Sequence, residues 1–93
     1  MLSLIVDLLQ GIYESRDASR LRHAAINGYE SAWRLRQQTD DSREDLLLTA
    51  IARGGSGAQL QPPYAPDVQA AVDAWNAGLS PQQAGAAIRA ASR

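Results

Sequence analysis

Residues Gly54-Gly55-Ser56-Gly57 divide the chain into two unlike parts. Residues 1–53 are charged and studded with arginine. Residues 58–93 are rich in Ala and Gln, with only Asp67, Asp73, Arg89 and Arg93 charged. Glycine leaves φ and ψ nearly free, so a Gly/Ser run behaves as a flexible tether. The plain reading is a left-handed helix-capping glycine followed by an ordinary loop. The sharper one is a deliberately introduced junction, joining two segments that ordinarily meet as separate chains.

Working outward, the N-terminal part reads as three helices. Residues 2–13 carry Ile5, Leu9 and Ile12 on one stripe, widened by Leu4 and Leu8, and Gly11 weakens the helix end. Ser15-Arg16-Asp17-Ala18-Ser19 offers N-cap residues, and a second helix is expected over residues 17–38. Its ridge is Leu21, Ala25, Gly28, Ala32 and Leu35, with Ile26, Tyr29 and Trp33 alongside. Small residues on that ridge let another helix approach closely, which offsets the ~1 kcal/mol of helix propensity that Gly28 gives up. Arg20, Arg22, Arg34 and Arg36 are expected on the solvated face. Thr39-Asp40-Asp41-Ser42 is a break and a restart, with acids placed to complement a helix dipole. A third helix follows over residues 42–53, burying Leu46, Leu47, Ala50 and Ile51.

Residues 54–63 read as linker, with Pro62-Pro63 stiffening its far end towards an extended conformation. Pro66-Asp67 then opens a fourth helix on which Val68, Ala71, Val72 and Trp75 recur at spacings of three and four. Asn76-Ala77-Gly78 ends it. Ser80-Pro81-Gln82-Gln83 is the clearest local signal: Ser80 suits the N-cap, Pro81 the first helical position, and Gln83 completes a capping box. Leu79 before the cap can staple onto Ala84. A fifth helix turns Ala84, Ala87, Ile88 and Ala91 inward. The large groups of residues 64–93 are too few to fold alone, so this part needs something to lie against. No stretch alternates as a strand does. The fold expected is all-α, a small bundle of four to five helices.

Composition narrows the function. Ninety-three residues make one domain with one modest core and leave no room for an enclosed substrate site and lid. The net charge of −1 provides neither a nucleic-acid footprint nor a polybasic membrane patch. All nine basic residues are Arg, a compositional bias and not a mechanism. Cysteine is absent, which excludes disulfides and thiolate chemistry and is compatible with a reducing cytoplasm. The apolar start is interrupted at Asp7, so neither a signal peptide nor a membrane span is expected.

Catalytic and metal-binding patterns are missing as well. His23 is the only histidine, and Asp40, Asp41, Glu44 and Asp45 lack the glycine and terminal glutamate of a calcium loop. Gly54-Gly55-Ser56-Gly57 has no Lys-Ser/Thr behind it, so it is no phosphate loop. No nucleophile–base pair presents itself. The chain is therefore expected to be no enzyme, with no cofactor, no metal and no small-molecule substrate. The turn Ala74-Trp75-Asn76-Ala77-Gly78-Leu79 before Ser80-Pro81-Gln82-Gln83 also fits a helix-turn-helix, in which Gln82 and Gln83 would open the recognition helix. Phosphate contacts need Lys or Arg, and residues 58–93 set two Arg against two Asp, so nucleic acid is ranked below protein as a partner.

Residues 67–91 resemble the short helical pairs at the ends of modular polyketide and nonribosomal peptide synthetase subunits. The likeness lies in an apolar helix, then Ala77-Gly78-Leu79-Ser80-Pro81, then Gln82-Gln83-Ala84 opening a second short helix. It covers about a quarter of the chain. In that family a C-terminal docking segment of one subunit packs on an N-terminal docking segment of the next, and one type forms a four-helix bundle. The resemblance implies a cytoplasmic protein–protein docking module. Residues 1–53 would be one docking segment, 54–63 the linker, and 64–93 a two-helix segment packed on the first. Residues 1–53 depart from the pattern by reading as three helices where two would be simplest. The interface is expected to comprise Val68, Val72, Trp75, Leu79 and Ile88, meeting Leu9, Ile12, Trp33, Leu47 and Ile51. The alternatives are a single-chain helical adaptor or antitoxin-like protein, and a small helix-turn-helix DNA-binding protein.

Overall fold

The computed structural model describes residues 2–54 and 61–92, with side chains from Ser19 onward. Four helices follow one another: α1 (Leu2–Thr39), α2 (Glu44–Arg53), α3 (Pro66–Asn76) and α4 (Pro81–Ala91). Among the described residues there is no strand. The fold is a small all-α bundle.

The two helices expected over residues 2–13 and 17–38 are one. Ser15, Asp17 and Ser19 are cap-forming residue types, but inside a helix each costs only ~0.5 kcal/mol. Stopping and renucleating would fix a new turn for a single hydrogen bond. With no proline between residues 2 and 39, continuation is the cheaper course. The helix stops at Asp40, which takes a left-handed φ of 58° and donates its N–H to the Arg36 carbonyl at 2.8 Å. Asp is among the few non-glycine residues that visit this region routinely. Asp41 then accepts from the Arg43 N–H at 3.0 Å and takes the Arg43 guanidinium on both oxygens, closing the turn.

α2 begins at Glu44, two residues later than its expected start at Ser42, and carries Glu44 and Asp45 in its first turn. Its C-cap, Gly54, has φ −72° and is right-handed, not left-handed as expected. Space explains the glycine instead: a Cβ there would lie 3.0 Å from the Ala24 Cβ. α3 ends in a Schellman motif. Gly78 takes φ 73°, its N–H donates to Trp75 O at 3.1 Å, and the Leu79 N–H donates to Ala74 O at 3.0 Å. α4 opens with the expected capping box, Ser80 and Gln83 each bonding the other's backbone N–H. Residues 61–63 form a bend where extension was expected.

The helices run up, down, up and down. Gly28 meets Ile51 and Ala24 meets Gly54, which makes α1 and α2 an antiparallel hairpin. Asp67 lies near Arg22 while Trp75 lies beside Arg36, so α3 runs parallel to α1 and α4 returns. The small-residue ridge does what was expected of it: Ala25 and Ala32 are fully buried, and a Cβ on Gly28 would stand 2.8 Å from the Ile51 nitrogen. The core joins these to Tyr29, Leu47, Leu48, Ile51, Val68, Ala71, Val72, Trp75, Ala84 and Ile88.

Several side chains differ from expectation by one helical position. Leu35 closes the ridge in the sequence but is 41% exposed, lining a surface cavity with Leu46 of α2. Leu48 takes a buried place, while Leu46 and Ala50 are only half-buried. In α4, Ala87 is half-buried and Ala91 exposed, leaving Ala84 and Ile88 as its contribution to the core.

A candidate docking seam between the two segments

The helices of residues 1–53 and those of 64–93 meet along a seam built around Trp75. Its α3 position, three after Val72 and seven after Val68, puts it on the apolar stripe, and 1% of it is exposed. The ring stands edge-on to two aromatics of α1. Its centroid is 5.6 Å from that of Tyr29 at 85°, and 6.3 Å from that of Trp33 at 82°. Tyr29 and Trp33 are themselves stacked, at 6.1 Å and 14°. Edge-to-face pairs place ring hydrogens on a neighbour's π-face and add ~0.5–1.5 kcal/mol each to the burial itself.

Arg36 completes the box. Its guanidinium carbon lies 5.0 Å from the Trp33 centroid and 4.8 Å from that of Trp75, within cation–π range of both. It also donates to the Trp75 carbonyl at 3.0 Å. The sequence placed Arg36 on the solvated face; the structure corrects this. Residues 29, 33 and 36 share one face at spacings of four and three, so an arginine there meets whatever packs on the two rings.

Further hydrogen bonds cross the seam. The Trp75 indole Nε1–H donates to Ser42 O at 2.8 Å, the Tyr29 hydroxyl donates to Leu79 O at 2.6 Å, and the Asn76 amide donates to Glu44 at 3.1 Å. The indole and phenol are thus buried without stranding a polar atom, and no buried side-chain N or O among the described residues lacks a partner. Burial pushes the Tyr29 hydroxyl above its ordinary range, and the positive charge of Arg36 opposes this.

Of the residues expected at the interface, Val68, Val72, Trp75, Leu47, Ile51 and Ile88 are buried in one cluster, with Trp33 and Leu79 packed against it. The side chains of Leu9 and Ile12 lie outside the described residues, as do residues 55–57 of the GGSG run. The sequence reading missed Tyr29, Arg36 and the Ser42 carbonyl as seam residues. The spacing of Tyr29 to Trp33 was a usable signal. A backbone carbonyl in a loop leaves none.

Among the described residues, no helix is long and apolar enough to cross a membrane, and no group of three acidic or histidine side chains is placed to hold a metal. The chain matches no family model, no curated protein and no solved structure.

Proposed function

We propose that this chain is a protein–protein docking module, in which residues 64–93 are the guest and residues 1–53 the host. The observation that carries the reading is the character of the seam. One large aromatic is fully desolvated, held by an arginine and edge-on rings, and tied by its indole N–H to a backbone carbonyl of the other segment. Hot spots at interfaces between separate proteins have this composition: Trp, Tyr and Arg, buried at the centre, with polar contacts around them. The guest's own apolar groups are few, so it orders mainly by lying on the host. The resemblance of residues 67–91 to the terminal docking helices of polyketide and peptide synthetase subunits gives the biological setting: recognition between consecutive subunits of a modular assembly line.

Gly54 favours a second reading, a single-chain helical domain. It is packed against Ala24, and residues that merely tether two partners need no such fit. Cutting the chain distinguishes the two. With a protease site placed within residues 55–60, a docking pair stays associated after cleavage and separates on dilution through the micromolar range, about −8 kcal/mol at 1 μM. The freed guest loses its helicity. A guest that stays helical alone, or halves that never reassociate, would show that the chain is one indivisible domain.

A further inference from the structure

The outer face of the α1–α2 hairpin has a groove that the seam does not use. It exists because the hairpin is closed by small residues. Gly28 sits against the Ile51 backbone and Gly54 against Ala24, so the floor is low and the side chains around it stand above it. The cavity measures about 620 Å³, within the roughly 300–1,000 Å³ of ordinary ligand pockets. Its polar walls are Ser19, Arg20, His23, Asn27 and Ser31 from α1 and Arg53 from α2; no carboxylate is among the described residues lining it. On one side a cavity of about 400 Å³ shares His23 and Asn27 and adds Arg22 and Arg89. On the other a cavity of about 340 Å³ shares Ser31 and Arg53 and runs on past Asp45 to Leu46 and Leu35.

The charges in this groove are the ones the fold leaves over. Arg34 is paired with Glu30, Arg43 with Asp41, and Arg36 lies on two tryptophan rings. Arg22 has Asp67 nearby. Arg20, Arg53 and Arg89 form no ion pair among the described residues. Among the described residues, the uncommitted cations of a chain whose net charge is −1 thus lie on one surface. At the groove's end stands Leu35, the exposed large apolar side chain of the described residues.

We propose that this groove binds an acidic, amphipathic segment of a partner protein, with carboxylates over Arg20, His23 and Arg53 and an apolar side chain against Leu35 and Leu46. Residues 20–35 of α1 span about 22 Å, which an occupying helix covers in about four turns. Charge complementarity selects the acidic partner, and the leucines select a peptide over a bare anion or a nucleic-acid backbone. A second copy of this chain is the poorer fit. Its acidic end is partly engaged already, Asp41 by Arg43 and Glu44 by Asn76. This inference stands apart from the docking reading, since a single indivisible domain would carry the same groove.

The test uses the full chain and a fluorescent synthetic helical peptide of Glu and Ala, with Glu at spacings of three and four so that it lines one face and leucines at one end, followed by anisotropy and by amide NMR shifts. The expected result is salt-sensitive binding that moves the amides of residues 19–31 and 50–54. Arg20→Glu with Arg53→Glu weakens it about tenfold or more, Arg20→Gln with Arg53→Gln weakens it less, and Leu35→Ser weakens it several-fold. Arg34→Glu leaves it unchanged. Melting curves of the variants check that they are folded. No binding, equal binding of the Gln-for-Glu peptide, or insensitivity to the Arg20 and Arg53 variants would each overturn the proposal. So would displacement of the peptide by a short DNA duplex, which would assign the surface to phosphate. Concentration-dependent self-association abolished by the same variants would assign it to a second copy.

Discussion

The phenol of Tyr29 reaches across fifty positions of sequence to donate a 2.6 Å hydrogen bond to the carbonyl of Leu79. It fixes the turn between α3 and α4 against the middle of α1. Tyr29→Phe keeps the ring and its contacts with both tryptophans but strands that carbonyl. The expected loss is about 1 kcal/mol of unfolding free energy, read as a lower denaturant midpoint at unchanged slope.

Trp75 carries more. Trp75→Ala removes a side chain that is 1% exposed, together with its bond to Ser42, and leaves Arg36 without one of its two rings. A loss of ~3–5 kcal/mol follows from the cavity alone, a large part of a small domain's stability. Thermal unfolding checks it: an unchanged midpoint would mean that the seam does not hold the segments together.

Gly28 and Gly85 make a matched pair of opposite sign. A Cβ on Gly28 would fall 2.8 Å from the Ile51 nitrogen and 2.9 Å from its Cα, and backbone cannot move aside. Overpacking of ~1–3 kcal/mol then outweighs the helix propensity gained, and Gly28→Ala lowers the melting temperature. At Gly85 the nearest atom to a new Cβ is the Arg89 guanidinium at 3.4 Å, the far end of a flexible chain. Gly85→Ala is therefore stabilising, by ~0.4–1 kcal/mol.

Asp67 gives a pH dependence. It is 5% exposed in the first turn of α3, and burial raises its carboxyl above the ordinary 3.8, opposed by Arg22. A raised acid binds its proton more tightly folded than unfolded. Its contribution is full below the ordinary carboxylate value and is lost as pH rises through the folded one. Asp67→Asn removes this dependence, so the wild type loses stability relative to the variant as pH climbs from 3.8 towards neutrality. Parallel denaturant titrations of the two proteins measure the difference, and a constant gap would contradict the assignment.

The sequence was readable where a local rule acts alone. Ser80, Pro81 and Gln83 specify the start of α4 within four residues, and the spacing of Val68, Val72 and Trp75 specifies the buried face of α3. It was unreadable where two rules compete. Ser15, Asp17 and Ser19 satisfy the pattern of a cap, and only the cost of renucleation overrides them. Leu35 continues an apolar ridge yet stands exposed, which its type and spacing do not show. Arg36 could not be told from Arg34 by type, although one lies on two indoles and the other pairs with Glu30 in solvent. The seam itself was legible through its apolar members, since burial follows spacing. Its polar ties were not, because the Ser42 and Leu79 carbonyls belong to no side chain.

The reversal between α3 and α4 is written entirely into residues 74–83, through the left-handed Gly78 and the reciprocal bonds of Ser80 and Gln83. Its direction is therefore specified locally, and the Tyr29 bond to the Leu79 carbonyl holds it against α1. On the docking reading proposed above, the two short helices order on residues 1–53 with a common heading already specified, so that closing the seam is one event and not two. Gly78→Val, which faces no clash but must hold φ near 73°, would in stopped-flow mixing of the cut halves slow their meeting more than it hastens their parting.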